Sequence, residues 1–258
     1  MKLRKVNAAT GLEWVKLGIR TFVRQPLAIS GLFFMFMAAV TLLSVIPVLG
    51  TVIAVVLTPA INLGLMAASR EATLGRFPMP SLLISAFRGD RERAKAMLIL
   101  GALYGASLLL VLGVAMVFGP NLPPPDPETG LTPEIIAAVL GSPGLWLAML
   151  VYLPVSMMFW HAPALVHWHG VSPAKSLFFS LLACWANKWA LSVYLAVWMA
   201  VIMAGAMLIS LVGGLLGGAT ALSMILYPSA LFMASMFYAS IYFTFQDSFE
   251  VADRLDAH

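Results

Sequence analysis

The sequence predicts an all-α polytopic membrane protein of six transmembrane helices, and three observations predict it. The chain of 258 residues is 61% apolar and only 10% charged, against about half apolar and about a quarter charged in soluble domains. Its mean hydropathy is +0.95. Apolar runs long enough to cross about 30 Å of hydrocarbon at about 1.5 Å per residue recur along it. The connections are short, so residues 1–258 read as one membrane domain.

The spans fall near residues 26–47, 50–69, 96–118, 145–166, 189–212 and 219–245, with 246–258 as a tail. Only the turns 47–50 and 213–218 separate the first two and the last two, which makes each pair a tight hairpin. The first run is too long for a secretory signal and no small-residue cleavage site follows, so it is expected to be retained. A single cysteine, Cys184, excludes an internal disulfide and reads as helix filler.

Basic residues set the orientation, because they stay on the cytoplasmic side. Lys2, Arg4, Lys5, Lys16, Arg20 and Arg24 precede the first span, and Arg70, Arg76, Arg88, Arg91, Arg93 and Lys95 lie between the second and third. Lys175, Lys188 and Arg254 fall on the same side, which completes the 15 Lys and Arg. The opposite side holds Asp126, Glu128 and Glu134. Both termini are therefore expected in the cytoplasm of a bacterial inner membrane. The net charge of +4 and pI near 9.4 point to anionic lipid head groups rather than nucleic acid, since the cations flank apolar runs.

An internal repeat organises the chain. Gly75, Pro78, Ser81, Leu82 and Ser85 recur at an offset of 95 as Gly170, Pro173, Ser176, Leu177 and Ser180. Pro59 matches Pro154, and Pro228 occupies the same place in the last span. The expected pattern is pseudo-threefold: three hairpins, each preceded by a cytoplasmic amphipathic helix lying in the interface. The repeat units are about 10–69, 78–166 and 173–245, with interfacial helices at 10–24, 78–92 and 173–186. Lys16, Arg20 and Arg24, spaced four apart beside Leu12, Val15, Ile19 and Phe22, have the pattern of an interfacial helix. With Arg88, Arg91 and Lys95 they are the expected lipid-surface residues. Residues 119–143 form a proline-rich periplasmic loop in which Thr132, Pro133 and Glu134 open a short helix ending near Gly141.

Chemistry is hard to find. The centres of the spans hold no Asp, Glu, Lys or Arg, which ion-coupled transporters usually place at depth. His161, His167 and His169, with Trp160 and Trp168, form the one cluster that invites haem or metal. Residues 167 and 169 point to different helix faces, no cysteine or carboxylate is near, and interfacial anchoring explains them better. No cofactor or metal is expected. Catalytic glycine loops, serine elbows and zinc motifs are missing too, so the chain is not expected to be an enzyme. Gly101 and Gly105 have the spacing that lets helices approach closely, and with Pro59, Pro154 and Pro228 they are the expected packing residues. Phe33, Phe34 and Phe36 suggest an aromatic outer face.

The run from Trp14 to Gly75, with Gly18, Ile19, Arg20, Thr21, Phe22, Gln25 and Pro26, and then Arg76, Phe77, Pro78, Met79 and Pro80, resembles a beta-proteobacterial family of six-helix inner-membrane proteins known by a Burkholderia locus tag. More loosely, the layout is similar to the membrane domain attached to some glycerophosphodiester phosphodiesterases, whose catalytic domain this chain lacks. The resemblance implies topology and no site residue. The expected role is a non-catalytic scaffold or accessory subunit that contacts membrane lipids and another membrane protein or itself. The alternatives are a transporter or channel for a neutral or lipid-like solute, and a haem or metal protein.

Overall fold

The computed structural model describes residues 2–120, 132–216 and 219–250. Six helices in it are long and apolar enough to cross a membrane: α2 (Pro26–Ser44), α3 (Leu49–Thr73), α4 (Arg91–Phe118), α6 (Pro143–His169), α8 (Lys188–Leu216) and α9 (Ala219–Ser248). Three shorter helices accompany them, α1 (Thr10–Arg24), α5 (Pro133–Leu140) and α7 (Pro173–Ala186), with a 3-10 helix at Pro80–Phe87. Strand β1 (Lys2–Leu3) pairs antiparallel with β2 (Phe249–Glu250).

Local chemistry sets the boundaries. Pro26 pushes Gln25 out of the helical region, to φ −141° and ψ 60°, so α1 stops and α2 starts with a proline where no N–H is needed. Between α2 and α3 the chain turns so tightly that a Cβ on Gly50 would lie 1.7 Å from the Leu43 carbonyl oxygen. Helices α3 and α6 end on Gly75 and Gly170, with φ of 74° and 63°, a left-handed cap that only glycine adopts without strain. These two glycines are the pair matched at the offset of 95. The Thr132 hydroxyl accepts from the Ile135 N–H and caps α5, and Gly141 closes that helix.

Two boundaries differ from expectation. The amphipathic helix at 78–92 is instead the 3-10 helix Pro80–Phe87, because Asp90 takes an extended conformation and caps α4 by accepting from the Glu92 N–H. Arg91 and Lys95 thus belong to α4. The tail from 246 begins as the end of α9 and then β2, held by β1 and by the Arg4 N–H donating to the Ser248 carbonyl. The remainder of the tail and residues 121–131 of the proline-rich loop lie outside the described residues.

Two of the short elements pack on the span that precedes them, the 3-10 helix on α3 and α7 on α6, while α5 touches the following span, α6. Helix α1, which has no preceding span, packs on α9 and α8. Its buried face is Gly11, Trp14, Val15, Gly18, Thr21 and Phe22, so Val15 and Phe22 meet protein rather than lipid. The contact is close. A Cβ on Gly18 would lie 2.2 Å from the Ser240 Cβ, and one on Gly11 2.1 Å from the Ala190 carbonyl oxygen. The main core joins α3, α4, α6 and α9 through Leu63, Met66, Leu100, Leu165 and Phe245.

Candidate functional site

All Lys and Arg among the described residues lie at one end of the bundle, where α1, α7, the two strands and the 3-10 helix also gather. At this basic end α9 presents Ser240, Thr244, Asp247 and Ser248, spaced so that they share one helix face. Each receives a donor from a different part of the fold. Trp198 of α8 donates its indole N–H to the Ser240 Oγ at 3.1 Å, and Tyr194 lies 2.7 Å from the same oxygen. Ser240 in turn donates to the Phe237 carbonyl at 2.6 Å. With its proton so committed, Ser240 accepts from both rings, which fills both lone pairs of a hydroxyl. Trp160 of α6 donates to the Thr244 Oγ1 at 3.0 Å, and Trp14 of α1 to the Asp247 Oδ2 at 2.8 Å.

Asn187, between α7 and α8 and 2% exposed, completes the ring of contacts. Its Oδ1 accepts from the Val6 N–H at 2.9 Å, and its Nδ2 donates to the Arg4 carbonyl at 3.0 Å and the Ser248 Oγ at 3.2 Å. The amide joins the N-terminal segment, α9 and the α7 to α8 junction. Sequence reading missed the whole stripe. Its signal was present in the four positions at helical spacing, but serine and threonine within an apolar run are also common as self-satisfied hydroxyls that bond the preceding turn.

The three candidate histidines do not converge. His161 is completely buried, between Phe245 and Phe249 at 5.8 and 5.6 Å between ring centres, with no partner on either ring nitrogen. Interfacial anchoring, the expectation for it, is therefore corrected: the ring sits in the main core because α7 and the end of α9 cover it. His167 contributes its carbonyl, which accepts from Arg93 at 3.1 Å, and His169 lies against Phe245 at 5.9 Å. Among the described residues no three His, Cys, Asp or Glu side chains are grouped to hold a metal.

Helix α7 also enters the hydrogen-bond ladder of α6. The Ser180 hydroxyl donates to the Met157 carbonyl at 2.7 Å and accepts the His161 N–H at 2.9 Å. Those two groups would otherwise bond each other across one helical turn, so the hydroxyl is inserted in the ladder, a recognised cause of helix bending. Cys184, also on α7, is buried, with its Sγ 3.6 Å from the same carbonyl. Burial pushes its thiol up to about 12, which makes it unreactive at neutral pH.

The expected surface and packing residues separate cleanly. Lys16, Arg20, Arg24, Arg88, Arg91 and Lys95 are all exposed, and Lys16 pairs with Glu13 at 2.9 Å. Lys188 lies over the Trp185 ring at 4.7 Å, and Arg70 is 5.9 Å from the centre of Trp168. Gly101 brings α4 onto α3, where a Cβ would lie 2.0 Å from the Val56 carbonyl oxygen, while Gly105 only touches Val55. Pro59 is buried, Pro154 half-buried and Pro228 exposed. Phe33 departs from the expected outer face: it is 3% exposed and stacks 5.4 Å from Tyr238 of α9.

Six apolar spans with their basic residues at one end define a polytopic membrane protein. The chain is 36% identical over 259 residues to the "Probable inner membrane protein BTH_II0599" of Burkholderia thailandensis, an alignment covering 98% of this chain and 96% of the relative. It belongs to that family and is a multi-pass inner-membrane protein. No family model and no solved structure matches it, so the likeness to the phosphodiesterase membrane domain gains no support.

Proposed function

We propose that this protein is a non-catalytic scaffold or accessory subunit, working through helix packing and lipid contact, with both termini in the cytoplasm. The observation that carries the reading is the outer face of α8. Met199, Met203 and Met207 form a stripe of one residue per turn and are 57%, 60% and 72% exposed. Methionine is flexible and polarisable, the side chain favoured on surfaces that adapt to partners. What also supports it is the buried polar set, which among the described residues consists of hydroxyls, Asn187 and His161, without a buried charge.

The test places a photo-reactive amino acid at Met203 in native membranes. A stoichiometric adduct with one other membrane protein, or with a second copy, is the expected result. A protein that stays uncoupled and moves a defined neutral solute in proteoliposomes overturns the reading in favour of a transporter. The orientation is checked separately. An impermeant thiol reagent applied from the periplasm should label Glu134→Cys and not Arg88→Cys, both exposed positions; native Cys184 is buried and gives no background. The reverse pattern inverts the topology.

A further inference from the structure

The 3-10 helix Pro80–Phe87 is pressed against the flank of α3, since a Cβ on Gly64 would lie 2.7 Å from both the Leu82 carbonyl oxygen and the Leu83 Cα. Gly64 is about 14 Å along α3 from Thr73 at 1.5 Å per residue, so the segment re-enters the hydrocarbon from the basic end. Irregular backbone at that depth persists only where it is packed on protein or lines a water-filled cavity, and this segment is held by its packing on α3. Between it, α2 and α3 lies a cavity of about 470 Å³, lined by Phe36, Ala39, Leu57, Ile61, Ile84 and Phe87 among others.

Two features identify the occupant. The lining is apolar apart from Ser81 and reaches Ala39, about 20 Å up α2 from Pro26. That places the cavity at the depth the acyl chains occupy in a leaflet whose hydrocarbon is about 15 Å deep with the interface above it. The chain leaving the cavity wall is cationic: Arg88 directly follows the lining residue Phe87, and Arg91 and Lys95 open α4, all three exposed. Asp90 and Glu92 are the acids of this stretch, and Asp90 is occupied in capping α4. We infer that the cavity between α2, α3 and the 3-10 helix holds one acyl chain of an anionic phospholipid, whose phosphate rests on Arg88 and Arg91. A soluble peptide would leave backbone groups unpaired against this lining. The inference deepens the lipid contact in the proposed function and does not depend on a protein partner.

The test is native mass spectrometry of delipidated protein in dodecyl maltoside, titrated with palmitoyl-oleoyl phosphatidylglycerol or its phosphatidylcholine counterpart. One phosphatidylglycerol should bind in preference to phosphatidylcholine, and Ala39→Trp, which fills the cavity, should abolish that retention. Leu109→Trp, on the exposed face of α4, should leave it intact. Arg88→Gln with Arg91→Gln should reduce the preference about thirtyfold, from the loss of two interfacial charges. If Ala39→Trp is not monodisperse, Ile84→Trp at the cavity wall, 53% exposed, is read the same way. Equal retention by the filling variants and by Leu109→Trp overturns the inference. Retained lipid without a cross-linked partner sinks only the scaffold reading, and a partner without retained lipid sinks only this one.

Discussion

Replacing Gly18 with valine is expected to destabilise the protein by about 3 kcal/mol, at the upper end of the usual cost of overpacking. The new side chain has nowhere to go. Its Cβ would lie 2.2 Å from the Ser240 Cβ and 2.7 Å from the Ser240 Cα, and backbone cannot retreat as a flexible side chain would. Any shift of Ser240 also disturbs the oxygen that serves Tyr194 and Trp198, and a buried indole N–H left unpaired costs about 1–3 kcal/mol more. Gly31→Val is the control, because a Cβ there meets nothing within 4 Å. Thermal unfolding in mild detergent should separate the two variants clearly, with faster hydrogen exchange over Thr10–Arg24 in the first. Equal melting temperatures would mean that α1 rests on the leaflet and not on α9.

That contrast shows what was legible in the sequence. The bounds of α1 and α7 were readable because their breakers are local: Pro26 ends one, and Pro173 with Asn187 frames the other. The spans were readable because hydrocarbon thickness imposes length. What an amphipathic face packs against is not local. The same spacing of Trp14, Val15, Gly18 and Phe22 serves an interfacial helix and one docked on α9, and only the close approach at Gly18 separates them. An α-helix over 78–92 follows from Pro78 as a first-turn proline matched to Pro173, whereas the segment is a 3-10 helix from Pro80 and the cap at Asp90 belongs to the next span. His161 was placed at the interface by its aromatic neighbours, whereas its burial depends on Phe249, far along the chain.

The same non-local logic makes Asn187 the most consequential polar side chain at the basic end. Its amide holds Val6, Arg4 and Ser248 at 2.9, 3.0 and 3.2 Å and fastens the first residues to the last described ones. Asn187→Ala should cost about 3 kcal/mol, since three bonds of about 1 kcal/mol each are lost and the Val6 N–H and Arg4 carbonyl lose their partner. Asn187→Asp should be no better. A carboxylate still accepts from Val6, but it cannot donate to the Arg4 carbonyl or the Ser248 hydroxyl, and it carries a charge into a site that is 2% exposed. The effect should be spatially confined, because α3, α4 and the lipid cavity share no hydrogen bond with this amide. Hydrogen exchange should therefore rise at Val6, over β1 and β2 and at the end of α9, while Gly101 and its neighbours keep their protection. Asn7→Ala is the matched control: the Asn7 Oδ1 accepts one exposed bond of 3.4 Å from the Ala9 N–H, and its loss should fall within about 0.5 kcal/mol. If Asn187→Ala were as mild as that control, the strand pair and the Arg4 N–H to Ser248 carbonyl bond would suffice to hold the N-terminal segment to the end of α9.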